Sequence, residues 1–243
     1  MINFSRRIYR YTNVSSTNDL ARALANKGEP EGTVVLAEEQ NRGRGKWNRR
    51  WVSPAGQGIW MSIILKPKLK PEDTARITLM TAVAVVKALE NYPGFPAGIK
   101  WPNDILLKDK KIAGILSEME TEGETVKFII VGIGLNTNLD LTALPEDLKD
   151  GVTSINHELT GSFSQEKLLN EIISRIELYY TLFIREGFSA IREEWQNYSV
   201  TFGRQLEAVC RGEKIFGRAV GLSENGGLLL RENSGVITEL FGS

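Results

Sequence analysis

The sequence predicts an α+β fold: a mixed, mainly antiparallel sheet with packed helices, followed by a small all-β unit. Three observations predict it. Short apolar runs of strand length alternate with helical stretches between Tyr9 and Gly134. Apolar residues then recur at helical spacing between Ser164 and Trp195. After Tyr198 four short strands with glycine turns replace the helices.

Taken in order, residues 9–14 read as a strand. Ser16-Thr17-Asn18-Asp19 reads as a helix start, with Ser16 and Asp19 at capping-box spacing. Leu20, Leu24 and several alanines continue that helix and Gly28 stops it. Residues 33–38 form a strand, and 41–50, polar, basic and glycine-bearing, form a loop. Strand returns at 59–65. Pro71, Glu72 and Asp73 open a long helix reaching about Glu90. Its Ala and Val content predicts burial on more than one side. Strands follow at 99–101, 105–107, 111–118 and 127–134, with a hairpin turn at 108–110. Ser164 begins an amphipathic helix whose Leu168, Leu169, Ile172, Ile173, Ile176, Tyr180 and Phe183 share a face, and a shorter helix carries Phe188, Ile191 and Trp195. These stripes are core packing.

Strands at 206–210, 215–222, 228–230 and 236–240 complete the chain, with turns at Gly212, Asn225-Gly226-Gly227 and Ser234-Gly235. A β-barrel of about 45 residues is too small to be very stable alone, so it is expected to lean on the main domain. The expected domains are 1–197 and 198–243.

Composition excludes several classes. The 243 residues carry 30 basic and 30 acidic side chains, which argues against a general electrostatic grip on nucleic acid or an anionic membrane. No apolar run approaches the roughly 20 residues of a membrane span. Residues 1–10 lack the apolar core of a signal peptide, so a cytoplasmic location is expected. The single cysteine, Cys210, cannot form an intrachain disulfide and reads as a buried, inert thiol in a strand. The single histidine, His157, has no triad motif around it, and Cys/His zinc sites fail on ligand count.

Four constellations carry chemistry. Within 42–51, Arg42, Arg44, Lys46, Arg49 and Arg50 are cationic, in a chain of zero net charge. Gly43 and Gly45 let the backbone approach a ligand and offer its N–H groups to an anion. Arginine holds carboxylate or phosphate bidentately, and Trp47 or Trp51 can stack on a flat base. A solvated basic loop is the plain alternative. The loop is neither a Walker A nor a Rossmann sequence. In the second constellation, Lys100-Trp101-Pro102-Asn103-Asp104, Asp104 can hold Mg²⁺ through water while Asn103 and Lys100 meet phosphate oxygens; the alternative is a simple turn. Third, Lys111 opens the apolar stretch Ile112-Ala113-Gly114-Ile115-Leu116, where Gly114 would let a ligand lie against the strand. Fourth, Gly132-Ile133-Gly134-Leu135-Asn136 places glycines on a strand that ends in an amide.

Together these pieces resemble the biotin–protein ligases. Ser16-Thr17-Asn18, Gln40, Gly43-Arg44-Gly45 with Trp51, the block 100–104, Lys111 with Ala113-Gly114, and Gly132 to Asn136 occur in family order at near-family spacing. The most specific feature is the Lys-Trp-Pro-Asn-Asp block with Lys111 seven residues after Asp104. The resemblance spans nearly the whole chain. It implies a catalytic domain like that of class II synthetases and biotin–lipoate ligases, with an SH3-like C-terminal barrel.

The resemblance implies two steps. Biotin's carboxylate attacks the α-phosphate of ATP to give biotinyl-AMP and pyrophosphate, and a lysine of a biotin carboxyl carrier protein then attacks the acyl-adenylate. Ser16, Thr17, Asn18 and Gln40 are implied as biotin contacts, and Gly43, Arg44, Gly45 and Lys46 as the loop closing over biotin and the adenylate. Lys111, beside Gly114, would hold the carboxylate and α-phosphate oxygens, with Arg44 its partner in catalysis. Trp51 resembles the adenine-stacking residue; Lys100, Asn103, Asp104 and Asn136 would face the nucleotide, with Mg²⁺ near Asp104. Family members often pair through sheet edges, so a homodimer is part of the resemblance.

Two departures stand out. The family commonly reads Gly-Arg-Gly-Arg-x-Gly-Arg-x-Trp; here Lys46 replaces the second arginine and Asn48 the later glycine. Lysine lacks the planar fork, so fewer directed hydrogen bonds to the adenylate are expected; Asn48 tolerates the left-handed conformation. Some relatives carry a DNA-binding helix-turn-helix, but the first catalytic strand here begins by Tyr9, so neither repressor function nor sequence-specific DNA binding is expected. The rival readings are a lipoate or octanoate ligase of the same fold and a single-stranded nucleic-acid binder using the basic loop.

Overall fold

The computed structural model describes residues 4–92, 95–159, 163–210 and 213–242. Seven strands form the main sheet: β1 (Ile8–Val14), β2 (Val34–Gln40), β3 (Gly58–Leu65), β4 (Ala97–Lys100), β5 (Asp104–Leu107), β6 (Lys110–Glu122) and β7 (Thr125–Asn136). Their order is β1-β2-β3-β7-β6-β5-β4. Only β1 and β2 run parallel, joined by α1 (Thr17–Asn26), as a parallel pair requires a crossover. The other pairs are antiparallel, so the predicted mixed, mainly antiparallel sheet is found.

Strand periodicity divides the core between two faces. On β7, Ile129, Val131, Ile133 and Leu135 point toward the large core, which also holds α2 (Thr74–Leu89) and the apolar face of α5 (Gln165–Glu186). Phe128 and Ile130 point the other way and pack with Ala21 and Ala25 of α1, Val35 and Ile64. Further along that second face the large side chains stop: Gly132, Gly134 and Asn136 follow. The cleft described below opens there. The short helix α3 (Glu146–Lys149) borders it, α4 (Ile155–Glu158) follows as a single turn, and α6 (Ser189–Asn197) packs behind α2.

The helix ends refine the sequence reading. Ser164 caps α5, its hydroxyl accepting from the Lys167 amide at 3.3 Å. Ser16 occupies the N-cap of α1, but its side chain makes no cap bond, and the expected box with Asp19 does not form, because Asp19 is bound to Arg44. Pro71–Asp73 forms a 3₁₀ turn leading into α2, which is buried on more than one side as predicted. The 108–110 turn is a tight hairpin with Lys108 and Asp109 at φ 49° and 64°.

The C-terminal strands β8 (Gln205–Cys210), β9 (Glu213–Leu222), β10 (Leu228–Glu232) and β11 (Ile237–Leu240) form a separate antiparallel sheet in the order β11-β10-β9-β8. Gly226 and Gly235 take left-handed φ in their turns, whereas Gly212 lies outside the described residues. Ala219, Leu222, Leu228, Leu230 and Leu240 join the core of the main unit, so the small sheet leans on it. Cys210 is half-buried rather than buried, because it ends the β8 edge strand. His157 is exposed. Among the described residues no helix is long and apolar enough to cross a membrane.

Candidate active site

A cleft of about 370 Å³ opens where the second sheet face turns to glycine. Its inner end is polar. Ser16, Thr17 and Asn18, at the start of α1, are all buried. The Gln40 carboxamide oxygen accepts from the Thr17 backbone N–H at 2.9 Å and from its hydroxyl at 3.1 Å, and its nitrogen donates to Ser53 Oγ at 2.9 Å. The Ser62 hydroxyl donates to Asn18 Oδ1 at 2.5 Å, while Asn18 Nδ2 donates to Glu118 at 2.8 Å. A Cβ on Gly132 would lie 2.3 Å from Asn18 Oδ1, so only glycine admits this amide.

The floor is a glycine pair. Gly114 and Gly134 face each other across β6 and β7, and the Trp51 indole lies on both: added Cβ atoms would sit 3.1 Å and 2.3 Å from it. Trp60, fully buried beside Gly134, meets Trp51 edge-on with ring centroids 6.4 Å apart. Gly114 therefore makes room for Trp51, where the sequence reading left that room for a ligand. Lys111 joins the group through a β-bulge. Ile105 pairs with Ala113 but Leu106 with Lys111, so Ile112 is the extra residue. Strict alternation would put Lys111 and Gly114 on opposite faces; the bulge puts both on the cleft side. The Lys111 ammonium stands 5.1 Å from the Trp51 ring centre and 2.6 Å from Asp104 Oδ1. Its backbone is clamped by bonds to Gly151 and Thr153, each 2.9 Å.

The 42–51 loop covers this floor as a small hairpin. Gly45 N–H donates to the Arg49 carbonyl at 2.8 Å, and Trp51 N–H to the Gly43 carbonyl at 2.9 Å. At its tip Trp47 and Asn48 are both left-handed, at φ 53° and 56°. Asn48 thus does what the replaced glycine would do. Trp47 is 69% exposed, which leaves Trp51 as the tryptophan built into the floor. Arg44 holds Asp19 bidentately at 2.6 and 2.9 Å and stands 3.7 Å from Glu118. That contact holds the Asp19 carboxyl below the usual carboxylate range and raises Arg44 further. Lys46 donates to the Gly242 carbonyl at 2.8 Å, and burial lowers its pKa while nearby Asp104 opposes this.

Two stretches of the chain match known families: the Biotin/lipoate A/B protein ligase family at residues 11–136, and the Biotin protein ligase C terminal domain at residues 201–240. The chain belongs to the biotin/lipoate A/B protein ligase family. It is 39% identical over 223 residues to the Bifunctional ligase/repressor BirA of Bacillus subtilis, which covers 92% of this chain and 69% of that one. It is 32% identical over 227 residues to the Biotin--[acetyl-CoA-carboxylase] ligase of Paracoccus denitrificans, covering 90% and 92%. The structure of the biotin protein ligase from Aquifex aeolicus in complex with biotin and ATP matches with a TM-score of 0.82 at 28% identity, over 97% of this chain and 95% of that one.

Within this family member most of the sequence-predicted residues converge. Ser16, Thr17, Asn18, Gln40, Arg44, Gly45, Lys46, Trp51, Asn103, Asp104, Lys111, Gly114 and Asn136 all line the cleft. The Asn103 side chain is fixed by its bond to the Ile115 carbonyl (3.0 Å), and that of Asn136 by its bond to the Thr153 carbonyl (3.1 Å). Two predicted residues stand apart. Lys100 is exposed at the end of β4 and is not among the lining residues. Gly43 is buried at the base of the loop, where a Cβ would lie 2.5 Å from the Trp51 carbonyl oxygen. Sequence reasoning missed the wall made by Leu139, Leu144, Leu148 and Val152, and the supporting Asp19, Ser62 and Glu118. The wall segment holds only single-turn helices, too short for a periodic signal. Glu118 and Ser62 lie within predicted strands, and nothing in the sequence pairs them with Asn18, 100 and 44 positions away.

Proposed function

We propose that the chain is an ATP-dependent biotin–protein ligase that makes biotinyl-AMP and transfers biotin to a lysine of a biotin carboxyl carrier protein. The observation that carries this reading is the cationic, bulge-aimed Lys111 beside Trp51 on a glycine floor, under a loop bearing Arg44 and Lys46. Biotin's carboxylate oxygen forms a bond to the α-phosphorus as the bond to the pyrophosphate oxygen breaks. A carboxylate and a triphosphate repel each other, and cations placed before the reaction offset that repulsion at the site of developing charge. Lys111 is suited to bridge carboxylate and α-phosphate. Arg44, already oriented by Asp19, is suited to close over the adenylate. The carrier's neutral amine then attacks the acyl carbon; an amide forms and AMP leaves. Positioning by the polar end of the cleft supplies much of the remaining rate.

Magnesium fits as an ion that arrives with ATP. Among the described residues no three His, Cys, Asp or Glu side chains cluster, and Asp104 already faces Lys111. Mg²⁺ commonly uses one or two carboxylates plus substrate phosphates, so Asp104 is the group that would help hold it. When bound, the ion neutralises phosphate charge. A homodimer, as the resemblance implies, would join through an edge of the main sheet, β1 or β4.

The test is to mix the protein with ATP, Mg²⁺, a carrier domain and either biotin or lipoate, and to weigh the carrier. Addition of the biotinyl mass is expected. A lipoyl or octanoyl addition instead would replace this reading with the rival of the same fold, and no addition with sequence-independent binding to single-stranded nucleic acid would favour the other.

A further inference from the structure

We propose that the segment after β11 is a working part of the loop: the Gly242 carbonyl positions Lys46, and through it the 42–51 hairpin. Lys46 Nζ donates to that carbonyl at 2.8 Å, and among the described residues it forms no ion pair. Its ammonium also stands 5.1 Å from the Trp47 ring centre. Gly242 is itself seated. A Cβ there would lie 2.8 Å from Pro102 and 3.3 Å from Trp101. Trp101 in turn donates from Nε1 to the Gly226 carbonyl at 3.2 Å and from its backbone N–H to Thr201 Oγ1 at 2.8 Å. Three parts of the chain thus meet around Lys46: the loop, the 100–104 block and the C-terminal sheet. They border a second cavity of about 250 Å³, and Lys46 lines both this cavity and the cleft.

The loop is consequently held from two sides, by Arg44 on α1 and by Lys46 on the C-terminal segment. This gives the Lys46 departure a physical sense. A partly buried ammonium needs a partner, and a long flexible stem with a point charge can reach one carbonyl where a planar fork would want two acceptors. The expected consequence, retention of the acyl-adenylate beneath a held loop, rests on the ligase reading; the contact itself does not.

The first measurement therefore uses the full, ligand-free chain. Hydrogen exchange is followed at the loop amides Gly45, Arg49 and Trp51, with β7 amides as the internal standard. Variants are Lys46→Met, removal of residues 242–243, and both together. Each single change is expected to speed loop exchange about fivefold, as for loss of a half-exposed charge-assisted hydrogen bond, with β7 unmoved. The combined variant is expected to exchange no faster than either alone, and Lys46→Arg to restore part of the protection. Unchanged loop exchange, or effects that multiply in the combined variant, would overturn the proposal. If Lys46→Met also disturbs β7, the removal of 242–243 decides alone. Release of preformed biotinyl-AMP is then timed in the same variants. Faster release by a similar factor is expected, and unchanged release would overturn the role in retention.

Discussion

Gly134 has no side chain because Trp51 takes its space, with the indole Nε1 where a Cβ would be, 2.3 Å away. Gly134→Ala is therefore expected to push the ring off its floor without unfolding β7. Base–aromatic stacking is worth about 1–3 kcal/mol, so KM for ATP in pyrophosphate exchange should rise about tenfold. An unchanged KM would show that the ring in this position does not serve adenine. The Arg44–Asp19 pair makes a separate prediction about pH. Asp19 titrates below its ordinary value because Arg44 hydrogen-bonds the carboxylate. A depressed carboxyl pKa contributes stability that is fully present above the unfolded value, about 3.9, and is lost as pH falls through the lower folded value. Loop protection should therefore stay flat from neutrality to the ordinary carboxylate range and fall only below it. Asp19→Asn should lower protection at neutral pH and remove that acid step; an acid step that persists in Asp19→Asn would place it on another group.

At the scale of elements, β7 shows what a sequence can and cannot declare. Its alternation was readable: Ile133 and Leu135 inward, Gly132, Gly134 and Asn136 on the other face. The glycine run and the Lys-Trp-Pro-Asn-Asp block carried the family resemblance, and it was the resemblance that implied most of the site. The bulge at Ile112 was not readable, because it is defined by β5 pairing with β6 and not by any residue of β6. The Asp19–Arg44 bond was hidden for a similar reason. Asp19 had a sound local use as a cap, and a partner 25 positions away displaced it. Ser62, on β3, ties these elements together by holding Asn18 of α1 against Gly132 of β7. Ser62→Ala leaves the buried Asn18 oxygen without that donor, which costs about 1–3 kcal/mol. Denaturant unfolding should show this loss, and biotin affinity should fall with it because the polar end of the cleft loosens. Full stability in Ser62→Ala would mean that another donor takes over.

At the scale of the whole molecule, the two sheets share one core. Leu79 of α2 is almost fully buried, and a Cβ on Gly226, in the turn before β10, would lie 2.7 Å from its Cδ1. Phe188 and Trp195 of the α6 region belong to the same cluster as Ala219, Leu222 and Leu228 of the C-terminal sheet. A four-stranded sheet of this size buries too little surface by itself, so its apolar side has to be completed by α2 and α6. The change of texture after Tyr198 marks a change of architecture, and the shared core predicts that both parts fold together. One cooperative transition is therefore expected, with calorimetric and van't Hoff enthalpies equal. Leu79→Ala, which opens a cavity at the junction, should lower stability by about 2–5 kcal/mol. It should lower the transition of both sheets together, read as simultaneous loss of exchange protection on β7 and β10. Two resolved transitions, or β10 opening alone while β7 stays protected, would show that the C-terminal sheet is held by its own contacts. In that case the Lys46–Gly242 bond would tie the loop to a part able to leave, rather than to the frame of the site.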